Sequence, residues 1–107
     1  MAYAEINGGI CGFLTRVTVT AEGNTARVEI ESDCPSIQNL ASHISEVDPF
    51  REISHQGERP AVLELSEKHC PHSACPVPAG IIKAIEVETG LALPADAAIS
   101  VTRERET

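Results

Sequence analysis

The chain has 107 residues, 42% of them hydrophobic, and a formal net charge of −8 at pH 7. This length suits one domain, residues 1–107, with a small core that is aliphatic because Tyr3, Phe13 and Phe50 are the only aromatic residues. The negative charge argues against nucleic acid and anionic membrane surfaces as partners, since both require clustered Lys and Arg. It favours solubility or docking to a basic protein partner, and it leaves the oligomeric state open.

The N-terminal residues do not form a signal peptide, and the chain has no apolar run of the roughly 20 residues that cross a bilayer. We therefore expect a cytoplasmic protein, whose cysteines stay reduced. Four cysteines in such a protein are more often metal ligands or reactive thiols than two disulfides.

A β-hairpin is the first element that the chain predicts. Residues 13–21 and 26–31 each alternate between apolar and polar side chains, as half-buried strands do. Between them, Gly23 and Asn24 supply a turn because both tolerate positive φ. The two segments therefore predict antiparallel strands joined by a tight loop.

Three helices are predicted after the hairpin. The first begins at Pro35, since proline suits the first helical position, and its apolar stripe runs to Val47. Residues 60–68 fit a short helix or an edge strand, and we favour the helix. A third helix spans Ala79–Thr89, with Gly90 as its left-handed C-terminal cap.

The C-terminal part predicts a closing strand. Ile99 and Val101 alternate with Ser100 and Thr102, and residues 103–107 form a charged tail. The predicted order is therefore β-β-α-α-α-β, and the fold class is α+β, a small antiparallel sheet with helices on one face.

The densest chemistry lies in residues 69–75, which hold two cysteines and two histidines. Cys70 and Cys75 are separated by four residues that include His72. That spacing is at the loose end of the range for paired zinc ligands, which a tight turn directs at one ion. The segment therefore predicts half of a metal site.

Cys11 and Cys34 would supply the other half. Cys11 precedes the hairpin and Cys34 follows it, so the hairpin would bring their ends side by side. No complete catalytic signature accompanies these residues, and we lean towards a protein that is not an enzyme. Our leading hypothesis is a zinc or iron–sulfur site, with these candidate ligands: Cys11, Cys34, Cys70, His72 and Cys75.

Thiol chemistry without a metal is the second hypothesis. Cys34 and Cys75 each precede a proline at the start of a predicted helix, where free backbone N–H groups and the helix dipole favour an anion and lower a thiol pKa. Cys75 would then carry sulfur or act in redox exchange, with Cys34 or Cys70 as the resolving thiol. In the third hypothesis, the chain is an interaction domain whose cysteines only pack.

Several short segments resemble known families. Three of them resemble a family of small prokaryotic domains of unknown function: Ile10-Cys11-Gly12-Phe13, Ser32-Asp33-Cys34 and Cys75-Pro76-Val77-Pro78. The resemblance implies that Cys11, Cys34 and Cys75 belong to one recurring pattern. The last segment is also similar to the Cys-Pro-x-Pro (CPxP) motif of TusA-type sulfur carriers, which implies that Cys75 bears a persulfide for a partner.

Overall fold

The computed structural model describes residues 1–104 as a four-stranded antiparallel sheet with helices packed on it. The strands lie side by side in chain order: β1 (Ala2–Asn7), β2 (Leu14–Glu22), β3 (Thr25–Ser32) and β4 (Glu46–Val47). The helices are α1 (Pro35–Ala41), α2 (Pro49–Glu52), α3 (Ala61–His69) and α4 (Val77–Glu88). The predicted α+β class is confirmed.

The two faces of the sheet differ because apolar and polar side chains alternate along its strands. Val17, Val19 and Val28 are buried on one face, whereas their direct neighbours along the strands are more exposed: Thr18, Arg27 and Glu29. α4 packs across β1 and β2, and α1 packs against β3. The core therefore lies between the apolar face and the helices, and its largest aliphatic members are these: Ile37, Leu40, Ile81 and Ile85.

The predicted hairpin is confirmed as β2 and β3. Their register runs from Thr15 opposite Ser32 to Glu22 opposite Thr25, which leaves a two-residue loop. Gly23 has a φ of +61° in that loop, a conformation that glycine adopts without steric cost.

Two strands were missing from the prediction. The first, β1, pairs with β2 along its whole length, but its apolar residues at the core-facing positions include two alanines, a weak signal. The other, β4, arises because α1 ends at Ala41 and Val47 pairs with Ala26 of β3. Ile44 and Val47 are buried although they lie beyond the end of the helix, so their helix-like spacing is a coincidence.

The other helices agree with the prediction. Residues 61–69 form a helix, as favoured, and α4 begins two residues earlier than expected, at Val77. Gly90 follows α4 with a φ of +76°, as its predicted role as a cap requires. Within residues 1–104, every helix is too short or too polar to cross a bilayer.

The predicted closing strand is wrong. Residues 99–102 adopt no regular structure, and Ile99 and Val101 are 83% and 86% exposed. An alternating pattern predicts a strand with one buried face, but it does not supply the neighbouring strand that such an element needs. Of the predicted charged tail, residues 105–107 lie outside the described part of the chain.

A buried carboxylate holds the start of α3. Glu52, at the end of α2, is 1% exposed, and its two oxygens accept the backbone N–H groups of Ala61 at 2.9 Å and Val62 at 2.7 Å. The first turn of a helix leaves such N–H groups without partners, and a negative charge there is stabilising. Glu52 therefore caps α3 from a neighbouring helix.

Candidate thiol site

The segments that carry the cysteines meet at one end of the sheet. The β1–β2 loop with Cys11 and the end of β3, just before Cys34, lie at that end because β2 begins there. The start of α4 lies there too, since Gly80 packs directly against Ile6 near the end of β1. Cys75 lies two residues before the start of α4, with Pro76 between them.

A tight turn brings Cys70 and Cys75 together. Cys70 caps the C-terminal end of α3, where its N–H donates to the carbonyl of Ser66 at 2.8 Å. The carbonyl of His72 accepts the N–H of Cys75 at 3.2 Å, and it also lies 4.0 Å from the thiol of Cys70. The turn therefore wraps around this one carbonyl, and the two thiols become neighbours.

The pKa of the Cys75 thiol is raised above that of an ordinary cysteine. Burial is the largest cause, and the thiol of Cys70, through its charge and a hydrogen bond, and the charge of Cys34 act in the same direction. The backbone N–H of Val77 opposes them and lowers the pKa. The sequence predicted a lowered pKa at this helix start. The N–H does act that way, but the desolvation of the charged form outweighs it.

This pKa predicts slow alkylation of Cys75 near neutral pH. We expect Cys75 to react with iodoacetamide more slowly than the free thiol of a single cysteine in an unstructured control peptide at pH 7.5, because only the thiolate attacks, and to approach it as the pH rises towards the raised pKa. The Cys70→Ser variant should react faster, since it removes the raising contribution of that thiol. Peptide mass spectrometry of timed samples measures both rates. Faster alkylation than the free thiol at pH 7.5 would contradict the raised pKa.

Cys34 is held at the start of α1 by two hydroxyl groups. The Thr15 hydroxyl, buried on β2, donates to the Ser32 hydroxyl at 2.9 Å, and the same Ser32 oxygen accepts the Cys34 N–H at 3.1 Å. The carbonyl of Cys34 in turn accepts the N–H of Gln38 in α1. Sequence reasoning missed Thr15 because it lies on another strand, far from Cys34 in the chain.

Cys70 and Cys75 line an open cleft of about 560 Å³, which we call the thiol cleft. Cys70 is buried and Cys75 is half-buried, so Cys75 is the more accessible of the two. Arg59, which forms an ion pair with Glu67, stands at the wall of the cleft together with His72. Cys75 is therefore partly accessible to solvent at the wall of this cleft.

The candidate metal ligands do not form a ready-made site. Cys11 and the ring of His72 are exposed, and all four cysteines are free. Among residues 1–104, no three His, Cys, Asp or Glu side chains are arranged to hold one metal ion. Cys34 and Cys70 are nevertheless close enough for their charges to act on Cys75.

His69 belongs to a separate contact beside the thiol cleft. Its ring stacks on that of His43 with 3.9 Å between the ring centroids, which joins the ends of α1 and α3. Partial burial, the charge of His43 and that of Lys68 lower the pKa of His69, in that order of size. The lowered pKa favours the neutral imidazole of His69, which stacks on His43 without charge repulsion.

These features define a small α+β protein with two neighbouring thiols at an open cleft. The chain belongs to the family of unknown function DUF6951, whose family model matches residues 2–101. That match is consistent with the predicted likeness to a family of unknown function. No curated protein and no solved structure matches the chain.

Proposed function

We propose that this protein is a thiol–disulfide exchange protein in which Cys75 attacks and Cys70 resolves. The observation that carries the proposal is that Cys70 and Cys75 line the same open cleft and are held around one carbonyl, that of His72. A dithiol reaction needs two sulfurs that can meet and access for a partner, whereas a structural metal site needs four ligands at once. The thiol cleft offers two neighbouring thiols, which meets the needs of a dithiol reaction but falls short of four metal ligands.

The proposed reaction balances with a partner disulfide as the only co-reactant. The Cys75 thiol loses its proton and attacks one sulfur of the partner, so that a mixed disulfide forms and one partner thiol leaves. The Cys70 thiol then attacks the Cys75 sulfur, and the second partner thiol leaves. The partner disulfide has been reduced to two thiols, and the protein dithiol has been oxidised to a Cys70–Cys75 disulfide.

The raised pKa of Cys75 favours the reducing direction. Strongly oxidising disulfide proteins owe their potential to a stabilised thiolate in the reduced form. Burial at Cys75 does the opposite, because it disfavours the charged form. The backbone N–H of Val77 offers the forming thiolate a hydrogen bond at the moment of attack.

Oxidised glutathione provides a direct test. The reduced protein in a Cys11→Ser background is expected to form an internal Cys70–Cys75 disulfide and to keep no glutathione. With Cys70→Ser added, the glutathione adduct should accumulate on Cys75, because the resolving thiol has gone. Mass spectrometry of the intact chain and of its peptides distinguishes the two products.

Cys75→Ser in the same background is the matched control, and it should yield neither product at the thiol cleft. Cys34→Ser should leave the internal disulfide in place, which separates the proposed resolving thiol from the other candidate. An adduct that persists on Cys75 with Cys70 intact would contradict the proposed pair. A persulfide on Cys75 in the isolated protein would instead favour the sulfur carrier suggested by the likeness to TusA-type proteins.

A zinc or iron–sulfur site is the second candidate function. The favouring observation is that Cys34, Cys70 and Cys75 share one neighbourhood, at the end of the sheet where the loop with Cys11 also lies. Metal binding would require Cys11 or His72 to move in as a further ligand. Protein purified without a chelator should then hold about one metal equivalent that Cys34→Ser abolishes. Stoichiometric metal of this kind would displace the dithiol proposal.

A further inference from the structure

The outer edge of β1 is open. The order of strands places β1 at one edge of the sheet, where it pairs with β2 alone among the described residues. Its six residues contain neither proline nor lysine, the residues that usually protect an exposed edge from pairing with another chain. The opposite edge is protected, because β4 has two residues and Pro49 follows closely.

An apolar segment without a partner follows α4. Residues 91–102, the C-terminal segment, are tied at their start by the N–H groups of Leu91 and Ala92, which donate to the carbonyl of Glu86. Beyond this point the segment has no regular structure, and the side chains of Ile99 and Val101 are in solvent. The family match extends to residue 101, so most of this exposed stretch lies within the matched domain.

The composition of the C-terminal segment suits an edge strand. Ile99, Ser100, Val101 and Thr102 alternate between apolar and polar, and three of the four are β-branched, the residue type most common in strands. Within one chain the segment runs back along α4 as far as Ala97, and residues 99–102 lie on no strand.

The net charge of the chain limits which surfaces can form an interface between two copies. Two copies of a chain with a net charge of −8 repel each other, so an interface between them must use its least charged surfaces. β1 carries one charged side chain, Glu5, and the C-terminal segment carries one, Asp96. The open edge of β1 and the C-terminal segment are therefore both nearly free of charge. The β1 edge lacks a neighbouring strand, and the C-terminal segment lacks a strand to pair with.

From these observations we infer that two copies of the chain exchange their C-terminal segments. Residues 97–102 of each copy add a strand to the β1 edge of the other, with Ile99 and Val101 on the side that faces the helices. Because each copy both gives and receives a strand, the contact closes on itself as a twofold dimer instead of continuing as a fibre. The inference is independent of the thiol chemistry.

Light scattering coupled to size-exclusion chromatography tests the inference on the full chain. The chain is expected to be a dimer, and the double variant Ile99→Lys with Val101→Lys should raise the dimer dissociation constant by about a hundredfold or more, since two aliphatic side chains lose their burial. The charge-matched control, Ser100→Lys with Thr102→Lys, changes the polar side of the same strand and should remain a dimer. Both pairs are exposed in the single chain, so neither should affect its folding.

Hydrogen exchange identifies where the strand binds. Amides of residues 97–102 and of β1 should become protected together as the concentration rises into the dimer range. A chain that is monomeric at every concentration would overturn the inference, as would a dimer that both lysine variants preserve. Protection of residues 97–102 in a monomer would also overturn it, because the segment would then lie on its own chain.

Discussion

Replacement of Glu52 by alanine is expected to lower the free energy of unfolding by about 3 kcal/mol, because two N–H groups at the start of α3 lose a charged acceptor inside the protein. Hydrogen bonds to charged groups contribute about 1.5–3 kcal/mol each, and the buried donors would be left without a partner. Glu52→Gln should lose about half as much, since one amide oxygen remains. Urea denaturation measures both.

Glu58→Ala is the matched control for the Glu52 variants. Glu58 is a surface carboxylate, 71% exposed, whose ion pair with Arg51 spans 3.6 Å. Exposed pairs contribute little, so this change should alter the free energy of unfolding by about 0.5 kcal/mol or less. Equal losses at the two positions would show that Glu52 does not cap α3. Cys70 is the C-terminal cap of α3, so a frayed α3 should also disturb the thiol cleft.

The second large effect is expected at Gly80, which lies where α4 crosses β1. A Cβ atom placed there would stand 2.5 Å from the Cγ1 and Cδ1 atoms of Ile6. Gly80→Val should therefore lower the free energy of unfolding by about 2–3 kcal/mol, the usual effect of overpacking a core contact. Ile6 can rotate away from a single methyl group. In Gly80→Ala, the gain in helix propensity of about 1 kcal/mol should offset most of the clash.

Ala79→Val separates helix propensity from packing at this position. Ala79 is the neighbouring residue in α4 and is exposed, so valine there should cost only about 0.5 kcal/mol through its lower helix propensity. Urea denaturation compares the three variants on the same helix. If Gly80→Val were as stable as Ala79→Val, α4 could shift away from Ile6 without loss, and the close packing would not be required.

The two expected effects concern contacts that connect the thiol cleft to the rest of the fold. Gly80 sets how closely the start of α4, and with it Cys75, approaches β1. Glu52 sets where α3 begins, and Cys70 follows the end of that helix. Neither residue lines the thiol cleft, yet each is expected to influence the position of one of its thiols.

Sequence reasoning located the cysteines on the right elements but misjudged the chemistry of one of them. Pro35 does begin α1 directly after Cys34, and Cys75 does lie just before α4. Whether a thiol at a helix start has a lowered pKa depends on how far it is buried, and burial follows from packing around the whole turn. At Cys75, burial and the neighbouring thiols outweigh the N–H of Val77.

The predicted closing strand shows a different limit of sequence-based prediction. Alternation in residues 99–102 is a local property that favours a strand, but a strand exists only when a neighbour completes its hydrogen bonds. No such neighbour lies beside this segment within the described chain. β1 had the neighbour but a weaker pattern, with alanine at two of its core-facing positions.

Local chemistry along the chain determined the hairpin, the start of α1 at Pro35 and the cap at Gly90. Alternation, the fixed φ of proline and the positive φ of glycine each act within a few residues. For residues 61–69, local chemistry favoured a helix but left an edge strand open. Tertiary structure alone decided the raised pKa of Cys75 and the capping of α3 by Glu52. Those properties depend on burial and on contacts across the folded chain, which periodicity and spacing do not encode.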